Sequence, residues 1–381
     1  MGELLFVNGP VQNGDFTFAD RPGKATGIRI TAALNHLIGT TPVPHAWNTV
    51  TLAGDLRHRQ HAATSARPTA RADFEVSLIA AKYGDCPPAP GYVTDADPAV
   101  ARLALEMTEA LLRAGKLSLS REQIRSCARC GHMAGTGSHP CKVCGSTVTR
   151  AKALGVLIAD RVGGRPLLGV DDVHAYRKRA PVHLRNIAGN VPARLVLART
   201  RDHGISLEPL GLPGLVLDPR AGLHIAALSV AVARGADTAV MVLTPNAAAN
   251  IAAYGQSFLC HDGTRLLYGL HGHIPYEELL SLEGHYGRYR FTPALQQAFE
   301  TWFLPLYAWH AKNNIAQGEL PNLLKHFHRA RLTACEAADA QALQRLRNTV
   351  IAGGTDWLTN RSGLSAALTA RSLSQPGGAL S

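Results

Sequence analysis

Residues 127–145 read Cys-Ala-Arg-Cys-Gly-His-Met-Ala-Gly-Thr-Gly-Ser-His-Pro-Cys-Lys-Val-Cys-Gly, two CxxC pairs separated by ten residues. Thiolates of Cys127, Cys130, Cys141 and Cys144 at this spacing can close a tetrahedron around one zinc ion, each CxxC wrapping a tight turn whose amides also donate to sulfur. Gly131 and Gly145 follow the pairs directly, where such a turn needs a residue that tolerates left-handed backbone. With four protein ligands no position is left for a substrate water, so the zinc is expected to be structural; a redox dithiol or a catalytic zinc is the alternative.

Working outward, the 381-residue chain is too long for one compact core and suggests two or three packed units. A content of 46% hydrophobic and 18% charged residues is that of a soluble globular protein. Nothing approaches the roughly 20 consecutive apolar residues that span a bilayer, and the N-terminus MGELLFVNGP has no signal-peptide pattern, which points to the cytoplasm without a membrane partner. Cys86, Cys260 and Cys335 are scattered, in keeping with a reducing compartment. The formal charge of +11 is compatible with a nucleic-acid partner or with a merely arginine-rich composition, because the basic residues form no block.

Glu3 to Val7 reads as a buried strand broken by Asn8-Gly9-Pro10, with a second loop at Gln12-Asn13-Gly14-Asp15. A strand followed by a glycine-bearing turn is how a nucleotide-binding α/β layer often begins. Gly27 to Leu37 suits a helix, and Thr49 to Ala53 a second strand ending at Gly54-Asp55, where α/β sheets place ligands. After the proline-rich boundary at residues 86–90, Asp97 can cap a helix with Pro98 in its first turn. Val100, Leu103, Met107 and Leu111 recur there at helical spacing until Gly115. Beyond the cysteines, Leu195 to Leu197, Leu215 to Leu217 and the apolar run Thr238 to Leu243 look like strands resuming the α/β layer. From about Thr292 the pattern is helical, with Trp302, Phe303, Leu306 and Trp309 on one face, and the tail from Ser372 is expected to be disordered.

This order resembles a class I aminoacyl-tRNA synthetase of the methionyl type: an α/β, Rossmann-like parallel-sheet core split by a helix-plus-zinc-knob insertion, with a helical C-terminal region. The resemblance rests on Leu4 to Val11 as the first strand and turn, Asp97 to Gly115 with the cysteine quartet as the connective insertion, and Arg194, Arg199, Asp202, Gly204 and Ile205 as the return to the core. Asp218 with Gly222, and Phe258 to Leu280, complete it. It implies a first core half at 1–85, the insertion at 86–185, a second half at 186–291, helices at 292–371 and a tail at 372–381.

The resemblance also implies roles. Gly9, Gly14 and His271 would approach a nucleotide, and Asp55 would hold the ammonium of an amino acid. Asp218, Gly222 and His224 would complete the amino-acid pocket, and Gln12, Asp15 and Arg265 occupy positions of the two ATP signatures. Both signatures are degenerate. Gln12-Asn13-Gly14-Asp15 replaces the HIGH tetrad, removing two imidazoles that act on developing phosphate charge. Asp15 would repel a triphosphate unless magnesium intervened. Arg265-Leu266-Leu267-Tyr268-Gly269, in the KMSKS position, keeps one cation. Around Asp218 aromatic residues that pack on a methionine thioether give way to Leu217 and Leu223, with Arg220 and His224 nearby. Asp15, Asp55, His58, Asp218, His224 and His271 are the titratable candidates for a retooled pocket.

Three functions follow. The first is a paralogue recruited to amino-acid activation or condensation in specialised metabolism, similar to the methionyl-type hydrazine synthetases; the cupin domain they carry is absent, so a separate cupin-type partner enzyme is implied. The second is a catalytically silent relative that binds an amino acid, a tRNA or a protein. The third is a genuine tRNA ligase, disfavoured by the loss of both signatures and by a C-terminus too short for a full anticodon-binding domain.

Overall fold

The computed structural model describes residues 3–9, 18, 20–40, 42–47, 52–67, 69–83, 91–130, 140–141, 144–160, 168–169, 173, 175–176, 181–189, 194–201, 203–310, 314–333, 340–354, 356–358, 363–364 and 366–367. Its centre is a parallel layer. The strands β1 (Leu4–Asn8), β2 (His45–Trp47) and β3 (Tyr92–Thr94) come first in the chain. β4 (Ser118–Cys127), β5 (Thr149–Asp160), β6 (Arg194–Thr200) and β7 (Leu215–Leu217) form a separate sheet, and the parallel layer resumes with β8 (Thr238–Leu243), β9 (Cys260–His261) and β10 (Thr264–Leu270).

β1 pairs in parallel with β8, β8 in parallel with β10, and β10 antiparallel with β9; β2 pairs in parallel with β3. The Asn8 side chain joins the two groups, donating through Nδ2 to the Ala46 carbonyl and accepting at Oδ1 from the Ala46 amide, both at 2.9 Å. The resulting order β3-β2-β1-β8-β10 reverses between β1 and β8, the switch point at which doubly wound sheets bind ligands.

Alternation explains why this layer forms. Leu5 and Val7 of β1 and Ala239, Met241 and Leu243 of β8 enter one core, shared with helices α4 (Pro98–Arg113), α6 (Pro219–Ala233) and α7 (Pro245–Gly255). Leu4 and Phe6, with Val240 and Val242, enter the other, built with α1 (Thr26–Ile38) and the C-terminal helices; α2 (Leu52–Thr64) and α3 (Arg71–Tyr83) fall between α1 and α4 in the chain, and α5 (Pro181–Gly189) between α4 and α6. Both faces are covered, so the strands read as continuous apolar runs. Trp302, Phe303, Leu306 and Trp309 are buried in this second core. Met107 is buried in the first core, and Gly115 ends the α4 turn with φ of 64°.

Two expectations are corrected. The second strand is His45–Trp47; of the stretch Thr49 to Ala53 expected as strand, residues 49–51 lie outside the described residues, and Ala53, with Asp55, belongs to a helix at Leu52–Thr64. The β-branched run at residues 49–51 invites a strand reading, yet residues 52–64 carry three Ala, two Leu and two Arg, which favour helix. Leu195 to Leu197 and Leu215 to Leu217 are strands, but they do not rejoin the parallel layer. β6 pairs antiparallel with β5 and with β7, closing a four-stranded sheet with β4. Short apolar runs carry no mark of their partner's direction; here the partner is the long β4–β5 hairpin that leads to the cysteines.

Candidate functional site

The carboxyl ends of β1 and β8 meet at Gly9. Its amide donates to the Val242 carbonyl at 2.8 Å, and a Cβ added there would lie 2.6 Å from Leu243 Cβ, so only glycine allows this approach. The start of α1 closes on the same edge through Gly27. A Cβ on Gly27 would lie 3.1 Å from His271 Nε2 and 3.3 Å from the Val242 carbonyl. His271, just beyond β10, is buried, and its backbone amide donates to Leu243 at 3.1 Å. Gly9 and His271 therefore both stand at the switch point, each bonded to the carboxyl end of β8. Thr244 caps α7 at this edge, its Oγ1 accepting from the Ala247 amide.

A charged cluster stands at the start of α6. Asp218 is its N-cap, accepting from the Arg220 amide at 2.9 Å. The Arg220 guanidinium grips the same carboxylate through two bonds, Nε to Oδ1 at 2.8 Å and Nη2 to Oδ2 at 2.9 Å, while lying 3.4 Å over the Tyr254 ring. Arg201 reaches Oδ2 at 3.6 Å. Burial would push the Asp218 carboxyl up, but the hydrogen bonds and charge of Arg220, with that of Arg201, outweigh it and hold Asp218 below the ordinary carboxylate range. Arg199, two residues before Arg201, is shifted down to about 10, first by burial and then by the charge of Arg201. One turn into α6, Gly222 lies against Asp95, which follows β3 and is only 2% exposed; a Cβ on Gly222 would sit 3.1 Å from Asp95 Cβ.

His224 faces the interior. Its Nδ1 lies 2.6 Å from the Arg220 carbonyl, which can only accept, so Nδ1 carries the proton and Nε2 accepts from the Tyr268 hydroxyl at 2.8 Å. Burial takes its pKa down to about 4 and pushes Tyr268 up. This histidine is a neutral, fully engaged core residue, not a group presented to a ligand. Asp218, expected to complete an amino-acid pocket, is held by Arg220 and Arg201.

Arg265 stands at the amino end of the layer, paired with Thr238, and its Nε donates to Thr238 Oγ1 at 3.1 Å. Gly9, by contrast, follows the carboxyl end of β1 and bonds Val242. The segment Arg265 to Gly269 is strand, not the loop expected for a second ATP signature. Gly269 has a packing reason, since a Cβ there would lie 2.6 Å from Trp309 Cη2. Asp55 lies in the helix at Leu52–Thr64, and Gln12, Gly14, Asp15 and Asp202 lie outside the described residues. Asn8, Gly27, Asp95, Arg201 and the ion-pairing of Arg220 were missed by sequence reasoning. The dipeptide Asp218-Pro219 is itself a helix-start signal that points to the cap.

The cysteines cluster at the tip of the β4–β5 hairpin. The Sγ atoms of Cys127, Cys130, Cys141 and Cys144 all lie within 4.8 Å of one another, with Cys127 to Cys144 at 3.5 Å and Cys130 to Cys141 at 3.6 Å. A zinc–sulfur bond of about 2.3 Å requires a sulfur–sulfur edge of about 3.8 Å in a tetrahedron, so the set fits zinc. Gly145 adopts φ of 71°, and its amide donates to the Cys141 carbonyl at 2.8 Å, the knuckle turn read from the sequence. The backbone amide of Cys130, chief among several hydrogen bonds, draws the Cys127 thiol down to about 6, toward the thiolate that a metal takes.

No protein-family profile matches the chain, and no curated protein matches it in sequence. Solved structures do match in fold. Mycobacterium tuberculosis methionyl-tRNA synthetase in complex with methionyl-adenylate aligns over 97% of this chain and 82% of its own, at 14% identity and a TM-score of 0.53. A second structure of that enzyme bound by methionyl-adenylate aligns over 96% and 82%, at 14% identity and 0.51. The mixed α/β architecture, with its parallel sheet, matches the class I synthetase fold of these structures, and the four-cysteine cluster fits a zinc knob.

Proposed function

We propose that this chain binds an amino acid at the carboxyl edge of β1 and β8 and takes part in its activation or condensation outside translation. The observation that carries the reading is the charge at the start of α6. Where the methionyl family it resembles packs aromatic rings on a thioether, this chain has Asp218 held by Arg220 and Arg201, with Arg199 beside them. Such a wall favours a polar ligand over methionine. Asp55, Gln12 and Asp15 are proposed to complete the site from the first half, with Gly9 and Gly27 giving backbone approach. Arg265, at the far edge of the sheet, has no place in it.

Isothermal titration of the full chain with ATP and with each common amino acid tests this directly. Binding of at least one polar amino acid is expected, with methionine weak, and methionine-dependent pyrophosphate exchange at background. Exchange at the rate of a housekeeping methionyl-tRNA synthetase would overturn the proposal. The displacement of Arg265 from the crevice favours a second reading, a silent relative without ATP chemistry, which the same titration separates by amino-acid binding unaffected by ATP.

A further inference from the structure

Asp218 brings one negative charge to three guanidinium groups, those of Arg199, Arg201 and Arg220. Arg220 uses its Nε and Nη2 on both carboxylate oxygens and stacks on Tyr254, so this fork is committed to Asp218. Arg201 takes the remaining approach to Oδ2 at 3.6 Å. Arg199 then has no carboxylate among the described residues, and its Nε is buried without a hydrogen-bond partner. Its side chain is nonetheless only partly covered, so a ligand can reach it. An unneutralised guanidinium held among like charges costs stability, and a fold keeps one where an incoming anion recovers that cost.

We propose that Arg199, with Arg201 and Arg220 beside it, is a binding site for an oxyanion, the carboxylate or phosphate of the ligand that occupies the crevice. The geometry of its neighbours supports this. Arg199 and Arg201 occupy alternate positions of one extended segment and so share a face. The first turn of α6 sets Arg220 against them, because Asp218 is bonded through its backbone amide to Leu197 at 2.7 Å, two residues before Arg199. A planar fork beside a second cation is the arrangement that takes carboxylate or phosphate oxygens in pairs. The inference deepens the amino-acid reading and rests on it for the ligand, though not for the anion.

Thermal unfolding of the full chain is measured with inorganic phosphate, glutarate, L-glutamate and L-norvaline, each against sodium chloride at equal ionic strength, for the native protein and for Arg199→Met. The expected result is a rise in Tm of the native protein with phosphate or with glutarate. That rise should be absent in Arg199→Met, whose affinity for the same probe falls roughly tenfold or more. Without anion the variant should unfold at the native temperature or above it, because no partner of Arg199 is lost; this shows that it folds. A response to phosphate alone assigns a phosphoryl group, and a response to glutarate alone a carboxylate. No response to either probe, or equal responses in both proteins, overturns the site. Norvaline binding equally to both proteins with no effect of anions keeps the amino-acid reading and overturns the oxyanion site. Phosphate or glutarate acting through Arg199, with neither amino acid bound, does the reverse.

Discussion

Asn8 and Ala46 exchange two hydrogen bonds of 2.9 Å, side-chain amide to backbone carbonyl and backbone amide to side-chain oxygen. One asparagine therefore acts as a strand's edge, and it carries β2 and β3 into the layer at the point where the order reverses. The backbone of Phe6 is matched in the same manner by Asn35 of α1, which accepts from its amide and donates to its carbonyl at 2.8 Å. β1 thus has a ladder partner on one side and side-chain amides on the other.

Asn8→Ala leaves the Ala46 amide and carbonyl unpaired in a buried position. The expected loss is about 2–6 kcal/mol of unfolding free energy, from two unsatisfied backbone groups at about 1–3 kcal/mol each. Urea denaturation gives the total, and hydrogen exchange should show the Ala46 amide losing protection. A protected Ala46 amide in the variant would mean that β2 is held by something other than Asn8.

Gly269→Ala tests whether this glycine serves packing. Its new Cβ would meet Trp309 at 2.6 Å and Val240 Cγ1 at 2.7 Å, between a buried strand neighbour and a buried indole. Overpacking of this kind costs roughly 1–3 kcal/mol. A lower denaturation midpoint with altered Trp309 fluorescence is expected, with ligand binding at the carboxyl edge unchanged. An undestabilised variant would reopen a functional role for the Arg265 to Gly269 stretch.

The parts legible in the sequence were those in which chemistry or periodicity is local. The cysteine quartet needs only its spacing. β1, β8 and α4 need only unbroken or 3.6-period apolar residues. β2 was missed because three residues, His45 to Trp47, carry no pattern, and the antiparallel pairing of β6 because an apolar run does not encode its partner. At the site the difficulty was distance. Asn8 finds Ala46 across 38 positions, and the partnership of Asp218 with Arg201 needs α6 to be folded against β6. His224 looked like a pocket residue from its neighbours in sequence, yet its place in the helix turns it toward Tyr268.

The zinc knob should be separable from the core. Cys144→Ser is expected to lower bound zinc from near one per chain, measured by elemental analysis after dialysis. The main thermal transition should hardly move, since the four cysteines sit at the tip of a hairpin outside both large apolar clusters. Full zinc content in the variant would show that the four sulfurs are not the ligand set. Collapse of the whole transition would show that the knob supports the core.

His224 sets a pH dependence. Its pKa lies at about 4 in the fold against about 6.5 for an exposed imidazole, because burial penalises the imidazolium. Unfolded chains take up the proton first as pH falls, so the stability due to this residue is fully present above about pH 6.5 and is lost progressively down to about pH 4. A shift of this size corresponds to about 3 kcal/mol. His224→Gln should flatten that stretch of the stability profile while lowering stability at pH 7.5, since the bond to Tyr268 is disturbed. Denaturant titrations at half-unit pH steps read both effects. A variant with the native slope between pH 6.5 and 4 would assign the acid sensitivity to other groups and would leave His224 free to be charged in the folded protein.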